Sequence, residues 1–220
     1  MIDHSIKLSK IFLSGDEQAS KSYIEETLSN NNRLLLYEDL LTPTMIHIGK
    51  LWECNEISVA DEHLATAVCD YVISDYEFRM VSSKPFNHKK VMLFGAEGEE
   101  HYIGLKMAAA VFKEFSWTVR YLGPNLPLQH AETAVNAWKP DVIAMTAALS
   151  YRLPKLKESV KVLANTEHAP TIIIGGRIAP HVMFDMEAAP EQVIVMPTLR
   201  RLHDWLEHAS KGADTKNVVS

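Results

Sequence analysis

The apolar residues change their period near Pro85, and no single kind of regular element accommodates both halves. Before it they recur at three- and four-residue steps, the mark of helices that bury one face. Ile6, Ile11, Phe12 and Leu13 indicate a first helix, broken by Gly15-Asp16, and Ala19, Tyr23, Ile24 and Leu28 indicate a second. Asn30-Asn31-Asn32 signals a turn. Residues 34–51 read as a third helix, in which Pro43 predicts a kink or boundary because it lacks an amide donor. Ser58-x-x-Asp61 is a capping-box-like start for a fourth helix running to about Val81. This half shows no strand alternation, so a four-helix bundle is its simplest packing.

Past the polar linker Ser82-Ser83-Lys84-Pro85 the pattern becomes short unbroken apolar runs. They lie at 91–94, 117–122, 142–145, 171–174 and 193–196, with helical segments near 103–115, 128–138, 152–165 and 198–209 between them. Strands alternating with helices imply right-handed βαβ units, and unbroken apolar strands imply a parallel sheet covered on both faces. The expected class is α/β: an N-terminal four-helix bundle at 1–83, a doubly wound parallel sheet at 88–210, and a flexible tail at 211–220.

Charge divides along the same line. Residues 1–85 hold 7 basic and 14 acidic side chains, net −7, and residues 86–220 hold 15 and 14, net +1. No basic stripe, winged-helix or zinc-finger pattern is legible, so no direct nucleic-acid binding is expected. Cys54 and Cys69 are too far apart for a CxxC motif and too few for a disulfide framework. The opening MIDHSIKLSK has no apolar signal core, and no apolar run approaches the roughly 20 residues of a membrane span. A soluble, cytoplasmic protein without a membrane partner is expected.

Ten histidines stand out from an otherwise ordinary composition. One lies where doubly wound sheets bind ligands, beyond the carboxyl end of a strand. In the run Gly95-Ala96-Glu97-Gly98-Glu99-Glu100-His101-Tyr102-Ile103-Gly104, Glu99 can accept from one imidazole nitrogen of His101. The other nitrogen is then a metal ligand of fixed tautomer. Gly104 lets a backbone or a large planar ligand approach closely. Read alone, the same residues also fit a solvated acidic loop with an incidental histidine.

Glu99-x-His101-x-x-Gly104 resembles the cobalamin-binding fingerprint, and three further pieces follow in the family's order. Leu122-Gly123-Pro124-Asn125-Leu126-Pro127 looks like its Leu-Gly-x-x-x-Pro loop, Thr146 ends the run Val142-Ile143-Ala144-Met145, and Gly175-Gly176 closes Ile172-Ile173-Ile174. The resemblance covers about residues 88–208 and implies a Rossmann-like cobalamin-binding domain. In it His101 is the lower axial cobalt ligand, displacing the dimethylbenzimidazole base, whose tail is buried in the domain. Glu99, Gly104, Thr146, Gly175 and Gly176 are further cofactor-binding positions.

The helical half carries a second pattern. Trp52 is followed ten and eleven residues later by Glu62 and His63. This resembles the Trp-x9-Glu-His pattern of CarH-type light-sensing cobalamin proteins, where the tryptophan covers the adenosyl group above the corrin and the Glu and His contact it. Val59 falls where that family has an apolar upper-face contact. In the best-described members the residue after the tryptophan is a histidine that ligates cobalt after light removes the adenosyl group. Here it is Glu53, which leaves His63, His47 or water for that position. The DNA-binding head that such repressors carry before the bundle is not in this sequence.

The resemblance implies an adenosylcobalamin-dependent photosensory or regulatory protein rather than an enzyme. Its cofactor would be adenosylcobalamin or another cobalamin. Its output would be a change in homo-oligomeric assembly or in binding a separate regulatory protein, such as a transcription regulator. Two alternatives stay open: a corrinoid methyl carrier of a methyltransferase system, and a sensor that binds haem or another tetrapyrrole on the same fold.

Overall fold

The helical periodicity of the first half resolves into four rods: α1 (Ile2–Leu13), α2 (Glu17–Thr27), α3 (Thr42–Glu53) and α4 (Val59–Arg79). In the computed structural model the described residues are 2–28, 32–80, 87–146, 148, 150–177 and 192–210. Asn30, Asn31, the linker 82–85 and the expected tail at 211–220 lie outside them. The chain divides into two compact units, Met1–Val81 and Ser82–Ser220.

Local chemistry sets the helix ends in the first unit. The Asp16 carboxylate accepts the Ala19 N–H at 2.8 Å and starts α2. Ser58 and Asp61 form a reciprocal capping box at the start of α4, and these bonds hold the Asp61 carboxyl below its ordinary pKa. The unit's core includes Leu8, Phe12, Leu36, Leu40, Leu41, Ile48, Cys69 and Ile73, all fully buried.

The segment before Pro43 departs from simple expectation. Residues Leu35–Leu41 form a π-helix that runs directly into α3, with Pro43 in the first turn of α3. A proline inside an α-helix removes one amide donor and crowds the carbonyl four residues back. The wider π register relieves that crowding, and hydroxyls satisfy the carbonyls around it. The Thr42 N–H and Thr42 Oγ1 both donate to the Tyr37 carbonyl, and Thr44 Oγ1 donates to Leu40 O at 2.7 Å.

One buried polar group fastens this segment to α4. Arg33 grips Glu77 through two bonds of 2.7 and 3.1 Å, and the Tyr37 hydroxyl donates to Glu77 at 2.6 Å. Burial, reinforced by the Glu77 charge, pushes the Tyr37 hydroxyl's pKa far up, so it stays a donor.

The second unit is built on five parallel strands: β1 (Lys90–Ala96), β2 (Thr118–Leu126), β3 (Val142–Thr146), β4 (Thr171–Gly175) and β5 (Val193–Val195). Their order is β2-β1-β3-β4-β5. Among the described residues four α-helices connect or follow them: α5 (Ile103–Glu114), α6 (Leu128–Trp138), α7 (Leu153–Ala164) and α8 (Leu199–Ser210). Alternate residues of each strand feed two separate cores. Met92, Phe94 and Ala96 pack with residues of α6 and α7, while Val91 and Leu93 pack with residues of α5 and α8. This accounts for the unbroken apolar runs.

The sequence places a loop at 122–127, but the chain there stays in the sheet. β2 continues to Leu126 as an irregular edge strand, with register shifts that pair Phe94 with Gly123 and Ala96 with Leu126. An edge strand tolerates Pro124, because no neighbouring strand needs its missing donor. Glu77→Ala should destabilise the helical unit by about 3–5 kcal/mol, since it removes the carboxylate that pairs with the buried Arg33. Tyr37→Phe should cost only about 1 kcal/mol. Urea unfolding followed by far-ultraviolet circular dichroism reads both.

Candidate functional site

β1 is the topological switch of the sheet. The helix that follows it, α5, packs in one core, and the helix that follows its neighbour β3, α7, packs in the other. The loops after β1 and β3 therefore diverge and leave a crevice at the carboxyl edge. The strand register puts Gly95, Thr146 and Gly175 side by side along that edge, as partners across β1, β3 and β4. Thr146 is buried. Gly176, next in the chain, has φ +99°, a conformation that favours glycine.

Glu99 ties the two loops together. Its side chain is only 2% exposed. Oε1 accepts the His101 backbone N–H at 2.9 Å and lies 2.6 Å from His101 Nδ1. Oε2 accepts the Ala148 N–H, from the segment after β3, at 2.8 Å. Burial alone would raise the Glu99 pKa. The bonds from the His101 ring, the Ala148 N–H and the His101 N–H outweigh that and hold it below the ordinary value.

An ionised carboxylate only accepts, so His101 Nδ1 carries a proton, and in the neutral ring Nε2 presents its lone pair. The ring is 47% exposed, and no described residue hydrogen-bonds Nε2. At Gly104, in the first turn of α5, an added Cβ would meet no atom within 4 Å. A half-exposed imidazole thus lies three residues before a glycine with open space at its Cα.

Asn125 and Gly95 also belong to the site, and the sequence reading did not select them. Asn125 Oδ1 accepts the Gly98 N–H at 2.7 Å, and Nδ2 donates to Glu100 at 2.8 Å. The Asn125 N–H donates to Glu99 O at 2.9 Å. A Cβ at Gly95 would lie 3.0 Å from Glu99 O and 3.2 Å from Pro124 Cα. The available signals were a glycine ending an apolar strand and an asparagine inside the Leu-Gly-x-x-x-Pro stretch.

The helical-unit candidates flank the short turn 54–58. Trp52 ends α3 and is 48% exposed, so it is not a core residue of the bundle. Val59 opens α4 and is 55% exposed. Glu62 is half-buried and accepts from Thr66 Oγ1 at 2.9 Å, while His63 Nε2 lies 3.8 Å from its other oxygen. A second group of metal-type donors, His203, Asp204 and Glu207 of α8, has ligand atoms within 4.8 Å of one another.

Sequence models of two B12 binding domains match this chain, one over residues 7–74 and one over residues 89–198. The second alone accounts for half of its length. The chain belongs to the B12-binding-domain family. Among curated relatives of this family protein is the HTH-type transcriptional repressor CarH of Myxococcus xanthus, 27% identical over 139 residues. That match spans 61% of this chain and 44% of the repressor, so the chain spans less than half the relative's length. Among solved structures, the monomethylamine corrinoid protein of Methanosarcina barkeri superposes with a TM-score of 0.71 at 15% identity, over 90% of this chain and 94% of that one. The methanol:cobalamin methyltransferase complex MtaBC of the same organism gives 0.50 at 18%, over 94% and 79%. At these identities the structures show a shared fold. A helical region followed by a five-stranded parallel Rossmann-like sheet is the arrangement expected for the family.

Cobalamin is the family's cofactor, and the residues present suit it. A cobalt ion takes an imidazole nitrogen, and a broad corrin macrocycle needs the clearance found at Gly104. No helix among the described residues is long and apolar enough to cross a membrane.

Gly95→Ala should destabilise the protein by about 1–3 kcal/mol, since the new methyl meets backbone rather than movable side chain. Urea titration measures it. The depressed Glu99 pKa also fixes a pH dependence in the apoprotein. Its carboxylate contributes full stability above the unfolded carboxylate range of about 4.3, and the contribution is lost as pH falls through the lower folded value. Glu99→Gln should flatten that acid limb of a stability–pH curve.

Proposed function

We propose that this family member is an adenosylcobalamin-binding light sensor whose assembly or partner contacts change on illumination. The observation that carries the reading is the half-exposed Trp52, with Val59, Glu62 and His63 around one turn of the helical unit. A large indole held at a helix end with its surface in solvent is available to cover a ligand. Similarity to the CarH repressor supports the same reading.

When bound, adenosylcobalamin supplies a weak cobalt–carbon bond that light breaks. The residues of this chain bind, orient and shield. His101 Nε2 would hold the cobalt, and Glu99 would fix its tautomer and ring plane. Gly104, Thr146, Gly175 and Gly176 leave room along the sheet edge for the macrocycle and its nucleotide tail. Trp52 and Val59 would exclude water from the adenosyl group. Glu62 accepts from a hydroxyl or amino group of the adenosine, and His63 adds a further polar contact. Loss of these contacts on illumination is a local change with a global readout. Glu53 follows Trp52 and carries no imidazole, so the illuminated state does not gain a histidine ligand from that position.

A corrinoid methyl carrier is the second reading, supported by the whole-chain likeness to the monomethylamine corrinoid protein. Reconstitution with adenosylcobalamin in the dark, followed by green light, separates the two. A light-dependent change in spectrum together with a change in size on gel filtration is the expected result. Binding without either change overturns the sensor and leaves the carrier. Failure to bind adenosylcobalamin while haem binds points to the tetrapyrrole alternative. His101→Ala should weaken cobalamin binding by about 10–100-fold and remove the histidine-ligated spectrum. Trp52→Ala should change the photolysis rate by about fivefold, equivalent to one lost aromatic contact, while cobalamin still binds.

A further inference from the structure

We propose that Asn125 is a positioning residue that sets His101 on cobalt, acting as a clamp between the bulged end of β2 and the loop after β1. The proposal rests on the reading of His101 as the lower axial ligand.

Three bonds make the clamp. The Asn125 side chain accepts from the Gly98 N–H and donates to the Glu100 carboxylate, and its backbone N–H donates to Glu99 O. These contacts fall on three consecutive residues immediately before His101. The amide orientation is fixed by its partners, since a backbone N–H can only donate and an ionised carboxylate can only accept.

The backbone around Asn125 is shaped for the purpose. Asn125 has φ 54° and Gly123 has φ +81°, and asparagine is among the few side chains that accept the left-handed region readily. The register shifts beside Phe94 push Pro124 and Asn125 over Gly95, the residue with no room for a side chain. Bulges of this kind re-aim a side chain beside a functional site.

Glu99 fixes the ring of His101, and Asn125 fixes the backbone that carries both. Without the clamp, residues 98–100 exchange protein bonds for water, and the imidazole spends more time off the cobalt. Ligation through Nε2 is a preorganised contact, and preorganisation lost in the free protein is recovered at the expense of the bond formed.

The test uses the full chain labelled with 15N-histidine and loaded with cob(II)alamin. The nitrogen splitting in its electron paramagnetic resonance spectrum distinguishes a histidine nitrogen from the cofactor's own base. Asn125→Gly keeps the left-handed backbone and removes both side-chain bonds. The ratio of histidine-ligated to unligated cobalt should fall about fivefold, equivalent to one net hydrogen bond. Amide exchange at 98–101 in the apoprotein should accelerate by a similar factor.

A second pair of variants covers a failure of Asn125→Gly to fold. Asn125→Asp places two carboxylates against each other and should lose ligation. Adding Glu100→Gln reverses donor and acceptor, and should restore it at unchanged net charge. Normal ligation and exchange in Asn125→Gly overturn the clamp while leaving His101 as ligand. Failure of the double variant to restore ligation also overturns it, reducing Asn125 to a general structural role. An unmodified protein that binds cob(II)alamin with no histidine nitrogen on cobalt removes the ligand itself, and the clamp with it.

Discussion

The site depends on one buried carboxylate. Glu99 is almost fully shielded, yet it stays ionised because three N–H groups converge on it. A buried charge with a full set of partners is costly to disturb, since removing any partner leaves an acceptor that water does not reach. One oxygen fixes the loop after β1 and the His101 ring, and the other holds the segment after β3. Those are the two segments that diverge at the switch point. One side chain therefore links the two sides of the crevice.

Small residues around the crevice serve two different needs. Gly95 is small because the protein's own backbone fills the space above it, at 3.0 Å from where a Cβ would be. Gly104 is small although nothing of the protein comes within 4 Å. The first glycine lets the loop fold down, and the second leaves open space at the start of α5. Thr146 stands between Gly95 and Gly175 in the same row, so the edge is lined by residues too small to block a planar ligand.

Much of this was legible in the sequence, because the signals are local or periodic. Apolar runs located β1, β3, β4 and β5 and the first part of β2, and Ser58 with Asp61 located the start of α4. The pair Glu99 and His101 was legible because two residues suffice to state the bond. What stayed hidden is what depends on distant pairing. Ala148 contributes only a backbone N–H, which its side chain does not advertise. Asn125 reads as a turn residue until β2 is laid beside β1. The π-helix was hidden for another reason. Pro43 announces a disturbance, but kink, break and widened register all answer it, and buried contacts such as that of Tyr37 with Glu77 decide among them.

The π-helix gives the first unit a particular arithmetic. A π segment holds a residue more than the α-helix it interrupts, so α3 is turned by about 100° relative to an uninterrupted α-helix from the same start. Thr44 and Ile48 face the core in that turned setting, and Trp52, one turn beyond Ile48 in the same helix, turns with them. The aim of the indole is therefore set upstream of Pro43, by a spare residue in the backbone count. A deletion of one residue between Arg33 and Pro43 would turn Trp52 away from its present face.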